Sequence, residues 1–147
     1  MSLTKPLQPY AVTTSRVLYW FNRTNRIIFN YEVPKPRSII FTERGISMWG
    51  ACYPSESKSG PMWWDLKVMR TFPTFVSFIE CLTHEMVHAH CYWYATEEFI
   101  QPGHRGHGKT FFGWRPRLAE YGIHLSGRML SPEKSKSNTE MMKIKLS

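Results

Sequence analysis

Cysteine is scarce in this 147-residue chain: Cys52, Cys81 and Cys91 are the only three, and no two of them form a Cys-x-x-Cys pair. An odd, scattered set excludes a disulfide framework and fits a reducing compartment. Long apolar runs are missing as well. The first ten residues hold Pro6 and Pro9 but no apolar stretch, so neither a signal peptide nor a membrane span is expected. The expected location is cytoplasmic, nucleoid-associated or nuclear, not secreted. No internal repeat is visible. Acid is in short supply: 11 Asp and Glu stand against 19 Lys and Arg, which leaves a net charge of +8. Such a balance favours nucleic acid or another polyanion as partner and says nothing about fold. A single domain of this length buries about 70% of the surface its unfolded chain exposes, so it needs no covalent staple.

What the sequence does contain is Thr83-His84-Glu85-Met86-Val87-His88-Ala89, with the pattern His-Glu-x-x-His. On a helix, residues four apart lie about 40° apart around the axis, so His84 and His88 point the same way and can grip one metal ion. Glu85 is turned about 100° from His84 and about 60° from His88, where it flanks the metal as a general base without ligating it. Helical context is present. Phe75, Ile79, Leu82, Met86, Ala89 and Trp93 recur at spacings of three and four, predicting a helix from about Pro73 to Tyr94 with Thr71 as N-cap and Pro73 in the first turn.

In chain order, residues 1–12 read as a loose leader. Thr13 or Thr14 caps a helix running to about Asn25, with Val17, Leu18, Phe21 and the later Ile28 on its buried side. Pro34-Lys35-Pro36 stops any helix. Three strand-like runs follow, Arg37–Phe41, Gly45–Tyr53 and Trp63–Met69, and the short Thr42–Gly45 connection predicts an antiparallel hairpin. The fold class expected is α+β: a small three-stranded antiparallel sheet packed against the N-terminal helix and the His-Glu-x-x-His helix. A glycine-rich loop, 101–108, comes next, then a second helix from Lys109 towards Gly122 that Pro116 kinks or splits. The domain is expected over 13–130, with a basic, disordered tail over 131–147 that carries Lys134, Lys136, Lys143 and Lys145. Met141–Leu146 is a weakly apolar end whose docking place the sequence does not give.

A catalytic zinc takes three protein ligands and leaves one position open. Position 94 is Tyr94, which excludes the metzincin arrangement. Glu97 and Glu98 follow too closely on the same helix, and His90 lies about 200° from His88. The glycine-rich loop remains, with His107 between Gly106 and Gly108 favoured over His104.

These elements resemble those of the SprT-like (Spartan/SprT) zinc metalloprotease family, zincin-like domains in which a small antiparallel sheet precedes a His-Glu-x-x-His-Ala helix and a later His-Gly-x-x-Phe element. Here they read His84-Glu85-Met86-Val87-His88-Ala89 and His107-Gly108-Lys109-Thr110-Phe111, and the likeness spans roughly residues 14–122. The resemblance implies one Zn²⁺ per chain held by His84, His88 and His107, with Glu85 as the catalytic base of peptide hydrolysis. Two departures bear on substrate choice. No four-cysteine zinc ribbon is present, and Lys109-Thr110 stands where the family has Pro-Glu after His-Gly.

Zinc-activated water attacking a peptide carbonyl is the expected reaction, on a DNA-associated or specific intracellular protein. His124, Tyr94, Tyr121 and Arg105 are candidate oxyanion donors. Arg105, Lys109, Arg115 and Arg117, interleaved with Phe111, Phe112 and Trp114, are candidate nucleic-acid contacts, with single strands favoured because aromatics stack on unpaired bases. Phe111, Phe112 and Trp114 also fit the core of the second helix. The rival class is a zinc-stabilised protein- or nucleic-acid-binding module that does not cut, and a weaker third is a hydrolase of a non-peptide bond.

Overall fold

A computed structural model describes residues 9–42, 49–55, 60–95, 107–126 and 146. Helix α1 (Thr14–Ile27) starts at Thr13, whose hydroxyl accepts the Arg16 backbone N–H at 3.2 Å. It buries Val17, Phe21 and the following Ile28, together with two polar residues that periodicity does not flag, Thr24 and Asn25. The Asn25 amide clasps Val33: Nδ2 donates to its carbonyl at 2.8 Å and Oδ1 accepts from its N–H at 3.0 Å. That clasp closes a turn in which Asn30 and Tyr31 take left-handed φ angles of 52° and 64°.

The architecture is α+β, and its three-stranded sheet is mixed, which corrects the antiparallel expectation. Strands β2 (Ser38–Thr42), β3 (Gly50–Pro54) and β4 (Trp64–Met69) lie in the order β2-β4-β3, with β2 parallel and β3 antiparallel to β4. Ser38 stands opposite Asp65 and Thr42 opposite Met69; Gly50 stands opposite Val68 and Pro54 opposite Trp64. The expected hairpin between the first two strands does not form. Trp64, Leu66 and Val68 are all fully buried, so β4 takes the central place, whereas β2 and β3 present the exposed Ile40 and Tyr53 and take the edges. Residues 43–49 separate β2 from β3, a connection long enough to pass over one strand position.

A second sheet pairs β1 (Tyr10–Ala11) antiparallel with β5 (Thr71–Phe72). Tyr10 and Ala11 therefore do not belong to a loose leader, and Thr71 is not a helix cap. Helix α2 (Phe75–Tyr94) begins three residues later, at Thr74, with a capping box: Thr74 Oγ1 accepts the Ser77 N–H and Ser77 Oγ accepts the Thr74 N–H, each at 3.1 Å. Instead of one apolar stripe, α2 is buried on nearly every side, polar His84, Glu85 and His88 included. It packs against α1 and against β3, β4 and β5.

Pro116 splits the last helical segment, as expected, into α3 (Lys109–Phe112) and α4 (Arg115–Ala119), where it occupies the first turn and its missing N–H costs little. Gly122, at φ 77°, turns the chain out of α4. The predicted tail lies outside the described residues except for Leu146, which is buried in the core and whose carbonyl accepts Arg23 Nε from α1. Among the described residues no helix is long and apolar enough to cross a membrane.

Candidate metal centre

The 3.6-residue repeat of α2 stacks His84 and His88 on one face, and the chain entering α3 at Gly108 brings His107 against both. Their Nε2 atoms form a nearly equilateral triangle: 3.2 Å between His84 and His88, 3.0 Å between His88 and His107, 3.3 Å between His107 and His84. Nitrogen ligands of one tetrahedral zinc, each about 2.0–2.1 Å from the ion, stand about 3.3–3.4 Å apart, so the triangle has the size that such an ion requires.

Hydrogen bonding alone does not account for this arrangement. A neutral imidazole nitrogen either donates or accepts, so three of them facing one another leave at least one pair of like atoms in contact. Adding protons is disfavoured. Burial, and then the neighbouring imidazoles, push His84 down to about 3 and His88 to about 2, with the Ser126 backbone carbonyl working weakly the other way at His84. The three imidazole nitrogens converge in a largely buried site and lie close enough together to bind a metal ion; His84 and His88 are closed in, while His107 is only partly buried.

Phe111 has a role that spacing does not reveal. Its ring, fully buried, lies 5.0, 4.6 and 4.8 Å, centroid to centroid, from the rings of His84, His88 and His107. The phenylalanine three residues beyond Gly108 thus makes the apolar wall that holds all three imidazoles in place.

Glu85 is 3% exposed, and burial pushes its carboxyl up to about 8. A dication on the adjacent imidazoles is the kind of opposite charge that returns such a group to its ionised form. Glu85 faces β3. A methyl group built on Gly50 would come within 3.6 Å of Glu85 Cγ, and also 2.7 Å from both Cys81 Sγ and the Lys67 carbonyl. Only glycine therefore lets this edge strand approach the helix so closely at the level of the acid. Glu85 also helps to raise the thiols of the half-buried Cys52 and the buried Cys81, after burial itself.

Other candidates are placed elsewhere. His90 bonds Glu32 Oε1 at 3.0 Å and packs on Trp114, away from the triangle. Tyr94 is exposed and its hydroxyl donates to the Glu32 carbonyl, Tyr121 lies beneath Arg117, and His124 is exposed.

Two of the four candidate nucleic-acid contacts hold the fold together. Arg115 Nε donates to the Leu125 carbonyl at 2.9 Å while its guanidinium covers Phe112, and Arg117 donates to the Ile27 and Ile28 carbonyls at the C-terminal end of α1. Trp114 packs on Phe29 and His90 and Phe111 on the histidines, so neither offers a free stacking face. Lys109 is exposed; Arg105 lies outside the described residues, as do His104, Glu97 and Glu98. Set against family models and against curated proteins, the chain finds no match.

Proposed function

We propose that the chain is a zinc-dependent peptidase of the SprT-like kind. The observation that carries this reading is the His84, His88 and His107 triangle of zinc dimensions with a buried carboxyl, Glu85, next to it on the same helix. The likeness of the two histidine elements to that family supports it. A purely structural site has no use for a buried acid that costs stability.

His84, His88 and His107 would hold the ion, which when bound supplies a Lewis acid that acidifies water and polarises a carbonyl. Glu85 takes the proton of the attacking water on its carboxylate and delivers it to the leaving amine. Phe111 keeps the imidazoles fixed and bulk water off their faces. β3 is an edge strand, paired only with β4 among the described residues, and Gly50 sets it against Glu85. An extended peptide can add to that edge through backbone hydrogen bonds, which brings a scissile bond beside the acid and favours a peptide substrate over a small ester. The net charge of +8 supports substrates carried on DNA, although Arg115 and Arg117 already serve the fold.

Zinc content by elemental analysis, paired with cleavage of a DNA-binding protein with and without single-stranded DNA, tests the reading. The expected result is about one zinc per chain, lost in His107→Ala and kept in Glu85→Gln, with cleavage abolished in both. Zinc retained by His107→Ala removes the third ligand from the proposal. Full zinc with no cleavage by wild type, on either substrate form, favours the binding module.

A further inference from the structure

Strand β3 is held to α2 at both ends. At its start Gly50 lies against Cys81 and Glu85. Just past its end the buried Ser55 meets the buried Tyr92, one helical turn beyond His88. The Tyr92 hydroxyl donates to the Ser55 carbonyl and stands 2.9 Å from the Ser55 hydroxyl, which in turn accepts the Met62 N–H at 3.2 Å. The strand is thereby fixed along the helix, with one edge on β4 and, among the described residues, the other edge unpaired.

The two faces of the sheet differ. Trp64, Leu66 and Val68 are buried on the face turned to the core, opposite Pro54, Cys52 and Gly50. On the outer face, rows of side chains run across the strands: Ser38, Asp65 and Tyr53 form one row, and Ile40, Lys67 and Ala51 the next. Asp65 is already engaged. It accepts Arg37 Nε at 3.0 Å, Arg37 Nη2 at 2.7 Å and the Ser38 hydroxyl at 2.8 Å. Lys67, by contrast, has no ion pair among the described residues. Its ammonium lies 5.8 Å from the centre of the Tyr53 ring, so it leans over β3 towards the unpaired edge and away from Ile40. A residue on a strand added beside Ala51 would stand two strand spacings, about 9–10 Å, from Lys67, with the methyl group of Ala51 between them. A lysine stem and an acidic side chain together bridge that gap. A lone cation between Tyr53 and Ile40, with Arg37 committed to Asp65, suits one carboxylate better than a phosphate backbone, which calls for several.

We propose that Lys67 selects the substrate: a peptide added to the β3 edge is favoured when its residue beside Ala51 is acidic, with Tyr53 flanking the pair. The inference rests on the peptidase reading above and names its substrate class. Gly50, the neighbour of Ala51, stands at the level of Glu85, so the acidic residue falls close to the cut bond and at a fixed place relative to it.

The test uses the full chain loaded with zinc and a random-sequence peptide mixture, with cut sites read by mass spectrometry. One peptide that is cut is then made with Glu, Gln or Lys at the selected position, and kcat/KM is measured for wild type, Lys67→Met and Lys67→Glu. Acidic residues are expected to be enriched at one position beside the cut, with the Glu peptide preferred over the Gln peptide about 2–5-fold by wild type, chiefly through KM. Lys67→Met should lose that preference, and Lys67→Glu should turn it towards the Lys peptide. Equal kcat/KM of wild type on the Glu and Gln peptides overturns the inference, whatever the variants do to folding, and so does a preference that survives in Lys67→Met; in both cases the peptidase reading stands. Weaker binding of a single-stranded oligonucleotide by Lys67→Met, with its peptide preference unaltered, also overturns it and puts Lys67 on a phosphate-binding surface. No cleavage of any peptide by wild type that holds zinc removes the peptidase reading, and this inference with it.

Discussion

Replacing Gly50 by alanine puts one methyl group where the packing has no room. The added carbon would sit 2.7 Å from Cys81 Sγ and 2.7 Å from the Lys67 carbonyl oxygen, well inside ordinary contact. The thiol can yield by a small rotation. The carbonyl belongs to the central strand and has far less freedom, so β3 itself must shift away from α2. Overpacking of this kind costs about 1–3 kcal/mol, and the rigid partner argues for the upper half of that range. For a domain of this size the melting temperature then falls by roughly 4–12 °C. Thermal unfolding followed by circular dichroism reads the loss. Cys81→Ala in the same chain removes one of the two clashes, so the double variant should recover part of the deficit, an interaction that a double-mutant cycle measures directly. Since β3 also meets Glu85, peptide cleavage should fall further than stability while zinc content stays whole. A Gly50→Ala melting temperature equal to wild type, or strict additivity with Cys81→Ala, refutes the packing argument.

Glu80 titrates at about 7 in the fold against an ordinary 4.5, because burial outweighs the bond from His124. Between those values the native state holds the extra proton, so stability falls as pH rises from about 4.5 to about 7 and is level above, by about 3 kcal/mol in all. Glu80→Gln should therefore gain on wild type in urea unfolding at pH 8 and not at pH 4.5; parallel pH profiles would contradict this. Asn25→Ala strands the N–H and carbonyl of Val33 in a buried turn, and a loss of about 2–4 kcal/mol is expected in the same assay, with less than about 1 kcal/mol arguing against the clasp. Arg117→Met removes the donors on the last carbonyls of α1 and should cost about 1–2 kcal/mol while leaving affinity for a single-stranded oligonucleotide unaltered. A weaker, less salt-dependent oligonucleotide complex would instead put Arg117 on a phosphate-binding surface.

Much of the local structure is legible in the residues. Thr13 caps α1 and Pro116 splits the last helix because a hydroxyl acceptor and a missing N–H act within one turn of themselves. Where α2 begins is less legible. Thr71 and Thr74 offer the same hydroxyl, and the choice falls to Thr74 because residues 71 and 72 pair with Tyr10 and Ala11, sixty or more positions earlier in the chain. Sheet order is also hidden. The short link after β2 suggests a hairpin, yet the strand with the most apolar side chains claims the centre and sends β2 and β3 to opposite edges. The basic residues near the site carry a second duty that spacing does not show: a guanidinium reads as a surface charge in sequence, but Arg115 and Arg117 also donate to backbone carbonyls of distant segments.

The sequence by itself determined that His84 and His88 share a helix face with Glu85 beside them, because helical periodicity is a property of the backbone and requires no partner. It also narrowed a third ligand to the glycine-rich loop. The tertiary structure decided that His107 meets them, that Phe111 walls all three rings, and that Gly50 brings an edge strand to the acid. Each of those contacts joins segments far apart in the chain. Their meeting depends on how α2, the sheet and the final segment bury their apolar faces together, and no local spacing encodes that.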